Sequence, residues 1–245
     1  MFLGIGTVIN IVAIIFGASI GVGVGSKMPE RTRSLLTDVL GLTTLLGAAL
    51  ALKALWSSRY LDSLPDGWAL LTIMAALLIG GFLGSVAKLE DRLERFGENL
   101  RRKFGASSES TFVQGFVSAS LLFAIGPLAI LGSISDGMGT GIDQLLLKSS
   151  LDFFAATAFA ASLGWGVAVS AIPVGIYQAF WTVIGIALGN VLAGYQVDAM
   201  TITGGVLLIC IGLKLLKVKD IAVGNLLPAL AVAPLLAWGL HTFAM

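Results

Sequence analysis

The chain has 245 residues, of which 57% are hydrophobic and 12% charged, and its formal net charge is +1. Soluble domains carry a charge on about a quarter of their residues, so this composition excludes a soluble globular protein and predicts an all-α integral membrane protein. The nearly neutral charge predicts no nucleic-acid partner. The single cysteine, Cys210, excludes an internal disulfide.

Eight stretches come close to the roughly 20 apolar residues that a helix needs to cross the hydrocarbon core of a bilayer. The predicted spans are 3–25, 35–56, 68–87, 112–132, 145–163, 171–193, 200–217 and 222–243. We expect them to form a single transmembrane domain over 1–245, and seven spans is the alternative count.

Lysine and arginine are concentrated in the connections that follow the first, third and seventh spans. These basic residues are Lys27, Arg31 and Arg33, then Lys88, Arg92, Arg95, Arg101, Arg102 and Lys103, and finally Lys214, Lys217 and Lys219. By the positive-inside rule these connections face the cytoplasm, which predicts that both termini lie outside.

The connection 88–104 has a helical period of its own. Apolar residues recur there at three- and four-residue steps with charged residues between them, namely Leu89, Leu93, Phe96, Leu100 and Phe104. This spacing predicts an amphipathic helix that lies on the cytoplasmic surface of the membrane. A solvated extension of the third span is the alternative.

Several glycines lie four residues apart within the predicted spans. They are Gly17, Gly21 and Gly25, then Gly80 and Gly84, and then Gly185 and Gly189. Small residues at this spacing let helix backbones approach closely in lipid, where no hydrophobic force drives helices together. We therefore expect these faces to form helix contacts.

Two halves of the chain share short patterns that predict an internal duplication. The first span, TVINIVAIIFGASIG, and the fifth, SSLDFFAATAFAASLG, align so that Asn10 matches Asp152. The predicted halves, 1–132 with the amphipathic helix and 145–243, would be parallel repeats of four spans each, as in some secondary transporters. Chance similarity between stretches rich in Ala, Gly and Leu is the alternative.

Motifs spread over most of the chain carry a resemblance to a known family. They are GTVINIVAIIFGASIG, FAIGPLAILGSISDG, LLLKSSLDFFAATAFAASLGWGVAVSA, YQAFW and VGNLLPAL. In this order they resemble the bacterial integral membrane proteins grouped as domain of unknown function 554, which implies the cytoplasmic membrane of a bacterium or archaeon.

A more distant resemblance concerns the S-x-D pattern, the run YQAFWTVIGIALG and the run TGGVLLICIGLKLL. Together these are similar to one repeat of the small manganese exporters and their lysine-exporter relatives, which implies that Asp152 contributes to an ion site. This chain departs from that pattern by having Asn10 where a second carboxylate is expected, which argues against a divalent cation.

Asp152 is a single carboxylate within an otherwise apolar span, where a charge costs from about 3 to more than 10 kcal/mol. Two interpretations follow. In the first, Asp152, Asn10 and Gln178 surround a polar cavity that binds Na⁺ or a hard divalent cation, or passes a proton. In the second, Lys148 lies one helical turn before Asp152 and forms a purely structural ion pair with it.

Three further residues in and after the fourth span are candidates for the same site. Gly126 and Pro127 interrupt the span, and a proline inside a helix frees a backbone carbonyl that could line a cavity; a simple kink is the alternative. Asp136 follows the span and is expected to be half solvated.

We expect a transporter or channel for a cation or small polar solute, in contact with the lipid bilayer. The alternative is a scaffold or sensor subunit whose glycine-rich faces pack on a second copy or a partner. The sequence has no nucleophile–base pair and no Cys and His at metal-ligand spacing, so we expect no enzyme and no cofactor beyond bound Na⁺ or a divalent cation. A transporter predicts a water-accessible cavity that reaches Asp152, and a scaffold predicts a filled core there.

Overall fold

The computed structural model describes residues 2–104, 109–125, 127–188 and 192–243. These residues form helices, turns and loops, with no strand among them. The helices are α1 (Ile5–Gly25), α2 (Glu30–Leu52), α3 (Ser58–Leu61), α4 (Trp68–Val86), α5 (Leu89–Phe104), α6 (Glu109–Ala124), α7 (Pro127–Gly137), α8 (Asp143–Leu163), α9 (Gly166–Val169), α10 (Ala171–Leu188), α11 (Gly194–Leu215) and α12 (Ala229–Phe243). The predicted all-α fold is confirmed.

The number of spans is seven or eight, depending on one broken segment. Within the described residues, seven helical segments are long and apolar enough to cross a membrane. The eighth would be α6 and α7 together, which meet at an angle of 63°. Because Pro127 cannot donate a backbone hydrogen bond to the turn before it, it begins α7 and does not continue α6. The predicted span 112–132 is therefore two helices.

The seventh predicted span is longer than its apolar stretch. It begins at Gly194, and the Gln196 side-chain oxygen accepts a hydrogen bond from the backbone N–H of Ala193 at 2.8 Å. This contact satisfies one of the free N–H groups at the start of a helix. The prediction of a start at residue 200 was wrong, because the polar residues Gln196 and Asp198 lie inside the helix.

The chain forms two compact units, each built from two separate stretches. The first unit consists of Met1–Leu40 with Leu93–Val191, and the second of Gly41–Arg92 with Leu192–Met245. Each unit takes helices from both predicted halves. The predicted internal repeat is not confirmed by this arrangement and stays a prediction.

In the first unit, α1 packs along the length of α8. A Cβ added at Gly17, Gly21 or Gly25 would collide with backbone atoms of α8, at Phe153 and Ala161 among others. These three glycines therefore let the two backbones approach as the four-residue spacing predicts. Gly185 of α10 contacts the backbone of α7 in the same way, and Gly189 lies outside the described residues.

In the second unit, α4 packs against α12 and α11. Its buried cluster includes Tyr60 of α3, Ile73 of α4 and Ile202 of α11. Gly80 and Gly84 of α4 lie against the backbone just before and at the start of α12. The predicted glycine contacts are thus confirmed at every such residue that the structure describes.

The amphipathic segment forms α5, as predicted. Lys88 has a left-handed backbone (φ 51°) between α4 and α5, so α5 is not an extension of the third span. Within the first unit, the ring of Phe96 lies 5.9 Å from that of Phe116 on α6. A hydrogen bond from Arg101, and a weaker influence from Arg102, lower the pKa of Glu98 to about 2. Glu98 is therefore charged at neutral pH. A location of α5 on the membrane surface stays a prediction.

Candidate functional site

Asp152 lies in the middle of α8 and receives two hydrogen bonds on the same carboxylate oxygen. Lys148 Nζ donates to Asp152 Oδ2 at 2.5 Å, and Asn10 Nδ2 of α1 donates to it at 3.0 Å. The ion pair follows from helix geometry, because residues four apart face the same side of a helix. The predicted ion pair is confirmed, and Asn10 of α1 adds a hydrogen bond to it.

All three side chains are almost fully buried. Asn10 is 0% exposed, and Asp152 and Lys148 are each 6% exposed. Taking a carboxylate and an ammonium out of water is costly unless they are paired and hydrogen-bonded. The opposite charges and the Asn10 amide therefore hold each other in place, and the cluster has no net charge.

Gln178 lies on a face of α10 that contacts α1. It shares one side of α10 with Gly175 and Thr182, at three- and four-residue steps. Thr182 Oγ1 lies 3.5 Å from Thr7 Oγ1, and a Cβ added at Gly175 would touch the side chain of Ile11. The face that carries Gln178 is therefore directed at α1 between these two contacts.

The amide groups on these facing helices are not fully hydrogen-bonded. Asn10 Oδ1, Gln178 Oε1 and Gln178 Nε2 are buried and have no hydrogen-bond partner among the described residues. Gln178 is 0% exposed. Buried polar atoms are normally paired, and each unpaired one costs about 1–3 kcal/mol. The Asn10 amide oxygen, next to the Asp152 carboxylate, and the Gln178 amide, on the face of α10 directed at α1, thus have capacity to bind a ligand.

Asp136 is buried, although its place after the fourth span predicted that it would be half solvated. It is 3% exposed, and its two oxygens accept hydrogen bonds from the backbone N–H groups of Gly4 at 3.2 Å and Gly6 at 2.9 Å. A carboxylate at a helix N-terminus satisfies free N–H groups and complements the helix dipole. Asp136 therefore positions the start of α1, one turn before Asn10.

Of the other two candidates in this segment, Pro127 is the first residue of α7. Gly126 lies outside the described residues. A role for either of them in a binding site stays a prediction.

Removing the Asp136 carboxylate, which caps the start of α1, is expected to lower the stability of the protein without changing the Lys148–Asp152 ion pair. Asp136→Ala leaves two N–H groups of α1 unpaired, so we expect the free energy of unfolding to fall by about 1–2 kcal/mol. Thermal unfolding in detergent measures this loss against Asp66→Ala, an exposed aspartate before α4. Equal melting temperatures for the two variants would refute the capping role.

A cleft of about 160 Å³ lies at the far end of the contact between α1 and α8. It is lined by Ser26, Arg33, Thr111 and the last turn of α8 from Ala160 onwards. Ala160 is about 12 Å along the helix from Asp152. The glycine contacts of α1 fill the distance between them, so this cleft is not the cavity that we expected to reach Asp152.

Comparison with known proteins places the chain in a family. The family model described as Protein of unknown function (DUF554) matches residues 5–238. The chain belongs to this family. It is 30% identical over 241 residues to the "Uncharacterized membrane protein YdfK" of Bacillus subtilis (strain 168), which covers 98% of both chains. It is 31% identical over 239 residues to the "Uncharacterized protein YqgA" of Escherichia coli (strain K12), which covers 94% of both. No solved structure matches.

Membership of the DUF554 family confirms the resemblance found in the motifs. The name of the Bacillus subtilis relative agrees with the seven or eight apolar helices, so this DUF554 protein is a membrane protein. The names of these relatives assign no activity.

Sequence reasoning missed a second ion pair of this DUF554 protein, in the other unit. Asp198 was placed in a loop, but it is buried in α11 and accepts hydrogen bonds from Arg59 at 2.5 and 2.8 Å and from Ser57 at 3.2 Å. Arg59 is the single basic residue in its connection, which was the available signal. The pair joins the segment after α2 to α11.

Glu90 was also missed. It is buried at the start of α5, and its carboxylate accepts hydrogen bonds from Lys214 at 2.9 Å and from the backbone N–H of Gly224 at 2.5 Å. Asn225 in turn accepts a hydrogen bond from the Glu90 N–H at 3.0 Å. Within the second unit, these contacts hold the first turn of α5 against α11 and the segment before α12.

Among the described residues, no three His, Cys, Asp or Glu side chains come together as a metal-binding group. The hydrogen-bond partners of Asp152 that the structure describes are one amide, from Asn10, and one ammonium, from Lys148.

Proposed function

We propose that the protein moves a small cation or polar solute across the membrane, with Asp152 as the site that binds the ion or proton. A buried charge in a membrane-spanning helix usually belongs to a transport pathway, a proton relay or a binding site. The proposal rests on one observation above all, the unpaired amide oxygen of Asn10 beside the Asp152 carboxylate, with the unpaired Gln178 amide on the face of α10 that is directed at α1.

The chemistry of these donors supports a cation. Carboxylate and amide oxygens are the ligands preferred by hard cations such as Na⁺. The three groups come from three helices of one unit, α8, α1 and α10, so a small change in helix packing alters all three distances together. Such sites near the middle of the membrane are common in secondary transporters.

The surroundings of the protein are part of the same proposal. The alternating basic connections favour a location in the cytoplasmic membrane of a bacterium or archaeon with both termini outside. We expect lipid and the transported solute to be its partners, no enzymatic activity, and self-association as an open alternative.

One observation favours a second function, that of a non-transporting scaffold or sensor subunit. Lys148 already neutralises Asp152 at 2.5 Å, and the contact between α1 and α8 beyond the pair is closely packed. In that case the ion pair would fix the register of α1 on α8, and no solute would cross the membrane.

Uptake into proteoliposomes tests the proposal. The purified chain is reconstituted and offered Na⁺, K⁺, Mn²⁺, Mg²⁺ and amino acids in turn, with gradients in both directions. We expect saturable uptake of one class of solute above that of protein-free liposomes. Absence of uptake for every solute in both directions would favour the scaffold.

A further inference from the structure

Lys148 holds the position on Asp152 that a bound cation would take. Its ammonium lies 2.5 Å from Asp152 Oδ2, on the oxygen that also accepts the Asn10 amide. The side chain starts one turn away on the same helix, so the ammonium is tethered to its site. Any cation that binds Asp152 through the same oxygen must first displace it.

We propose that Lys148 is a built-in competitor, whose ammonium exchanges with a monovalent cation on Asp152. This inference rests on the proposed function, since it names the class of ion and the step that exposes its site. The amide oxygens of Asn10 and Gln178 complete the shell of the incoming ion, because they have no other described partner.

The charge balance selects a monovalent ion. Asp152 and Lys148 together carry no net charge, and the neighbouring amides are neutral. Exchange of the ammonium for one monovalent cation leaves a neutral ion pair in the buried site. A divalent cation on the single carboxylate would leave a buried positive charge, which is strongly unfavourable at low dielectric.

The displaced Lys148 ammonium has a second favourable position, near an aromatic ring. Lys148 Nζ already lies 6.0 Å from the centre of the Phe123 ring, near the end of α6. The face of an aromatic ring attracts an ammonium. The flexible lysine chain can carry its charge from Asp152 towards this ring, and onwards to the membrane boundary, with its aliphatic stem in apolar surroundings.

Equilibrium binding to the purified full chain tests the exchange. Radioactive sodium and rubidium ions are the probes, at pH above neutrality in a choline background. Lys148→Gln removes the competitor, and we expect it to bind one of the two ions about 10- to 100-fold more tightly than the wild type, since the competent fraction of sites rises accordingly. Lys53→Gln makes the same change at an exposed lysine after α2 and is expected to match the wild type.

A second variant guards against a folding defect. Lys148→Ala leaves space for a free amine, so methylammonium and the favoured metal ion should each raise its melting temperature, while the wild type and Lys53→Gln should not respond to methylammonium. A Lys148→Ala protein whose melting temperature is raised by neither methylammonium nor a metal ion contradicts the exchange, and so does a Lys148→Gln protein that cannot be recovered in sodium, rubidium or choline salts.

The outcomes separate this inference from the proposed function. If the wild type transports or binds a monovalent cation and Lys148→Gln binds it no more tightly, the exchange is wrong and the transport proposal stands. If neither protein binds either ion and the wild type shows no uptake of any solute, the proposed function itself fails. Tighter binding of a divalent ion alone by Lys148→Gln also contradicts the exchange.

Discussion

Asp152→Asn is expected to slow transport by about 10- to 100-fold or more, because interactions with a charged group contribute about 1.5–3 kcal/mol and each 1.4 kcal/mol is a factor of ten. The variant replaces the one charged oxygen ligand of the site by a neutral amide. Initial rates of uptake into proteoliposomes measure the loss, at equal amounts of reconstituted protein.

Asp152→Asn alone also strands the Lys148 ammonium in a buried site, which costs about 3–5 kcal/mol of stability. The double variant Asp152→Asn with Lys148→Gln removes both charges and is expected to recover the melting temperature but not the transport. Asp143→Asn, the same change at an exposed residue in the first turn of α8, should retain both. A folded double variant that transports at the wild-type rate would eliminate Asp152 from the mechanism.

Gly21→Ala is expected to destabilise the contact between α1 and α8. A Cβ at this position would collide with the backbone oxygen of Thr157 and lie 3.0 Å from the backbone nitrogen of Ala161. A helix backbone cannot move aside as a flexible side chain can, so we expect the free energy of unfolding to fall by about 1–3 kcal/mol or more. Thermal unfolding in detergent and the yield of monodisperse protein measure this.

Gly23→Ala supplies a matched control two residues away on the same helix. No atom outside the local helix lies within 4 Å of a Cβ there. Alanine is a better helix former than glycine, so this variant should be at least as stable as the wild type. Equal destabilisation by both substitutions would mean that the close contact of Gly21 with α8 does not account for the loss of stability.

Features that depend on neighbours within one helix could be predicted from the sequence. The four-residue spacing of Lys148 and Asp152 predicted the ion pair. The same spacing of Gly17, Gly21 and Gly25 predicted the contact face of α1. The alignment of Asn10 with Asp152 brought together two residues that hydrogen-bond. That contact agrees with a duplication, which nevertheless stays a prediction.

Contacts between distant parts of the chain could not be predicted in this way. Asp136 and Gly4 are separated by 132 positions, and nothing in either segment points to the other. Asp198 looked like a loop residue because its charge broke an apolar run, although its partner Arg59 lets it lie inside α11. A buried charge is placed by its partner, and a single sequence does not reveal which partner that is.

Infrared difference spectroscopy of the Asp152 carboxylate is the most direct test of the central claim. Spectra of the purified wild type with Na⁺ or K⁺ in place of choline should show a shift in a carboxylate stretching band as the ammonium of Lys148 gives way to the ion. The double variant Asp152→Asn with Lys148→Gln should lack that shift. Identical difference spectra for the two proteins, with either ion, would contradict cation binding at Asp152.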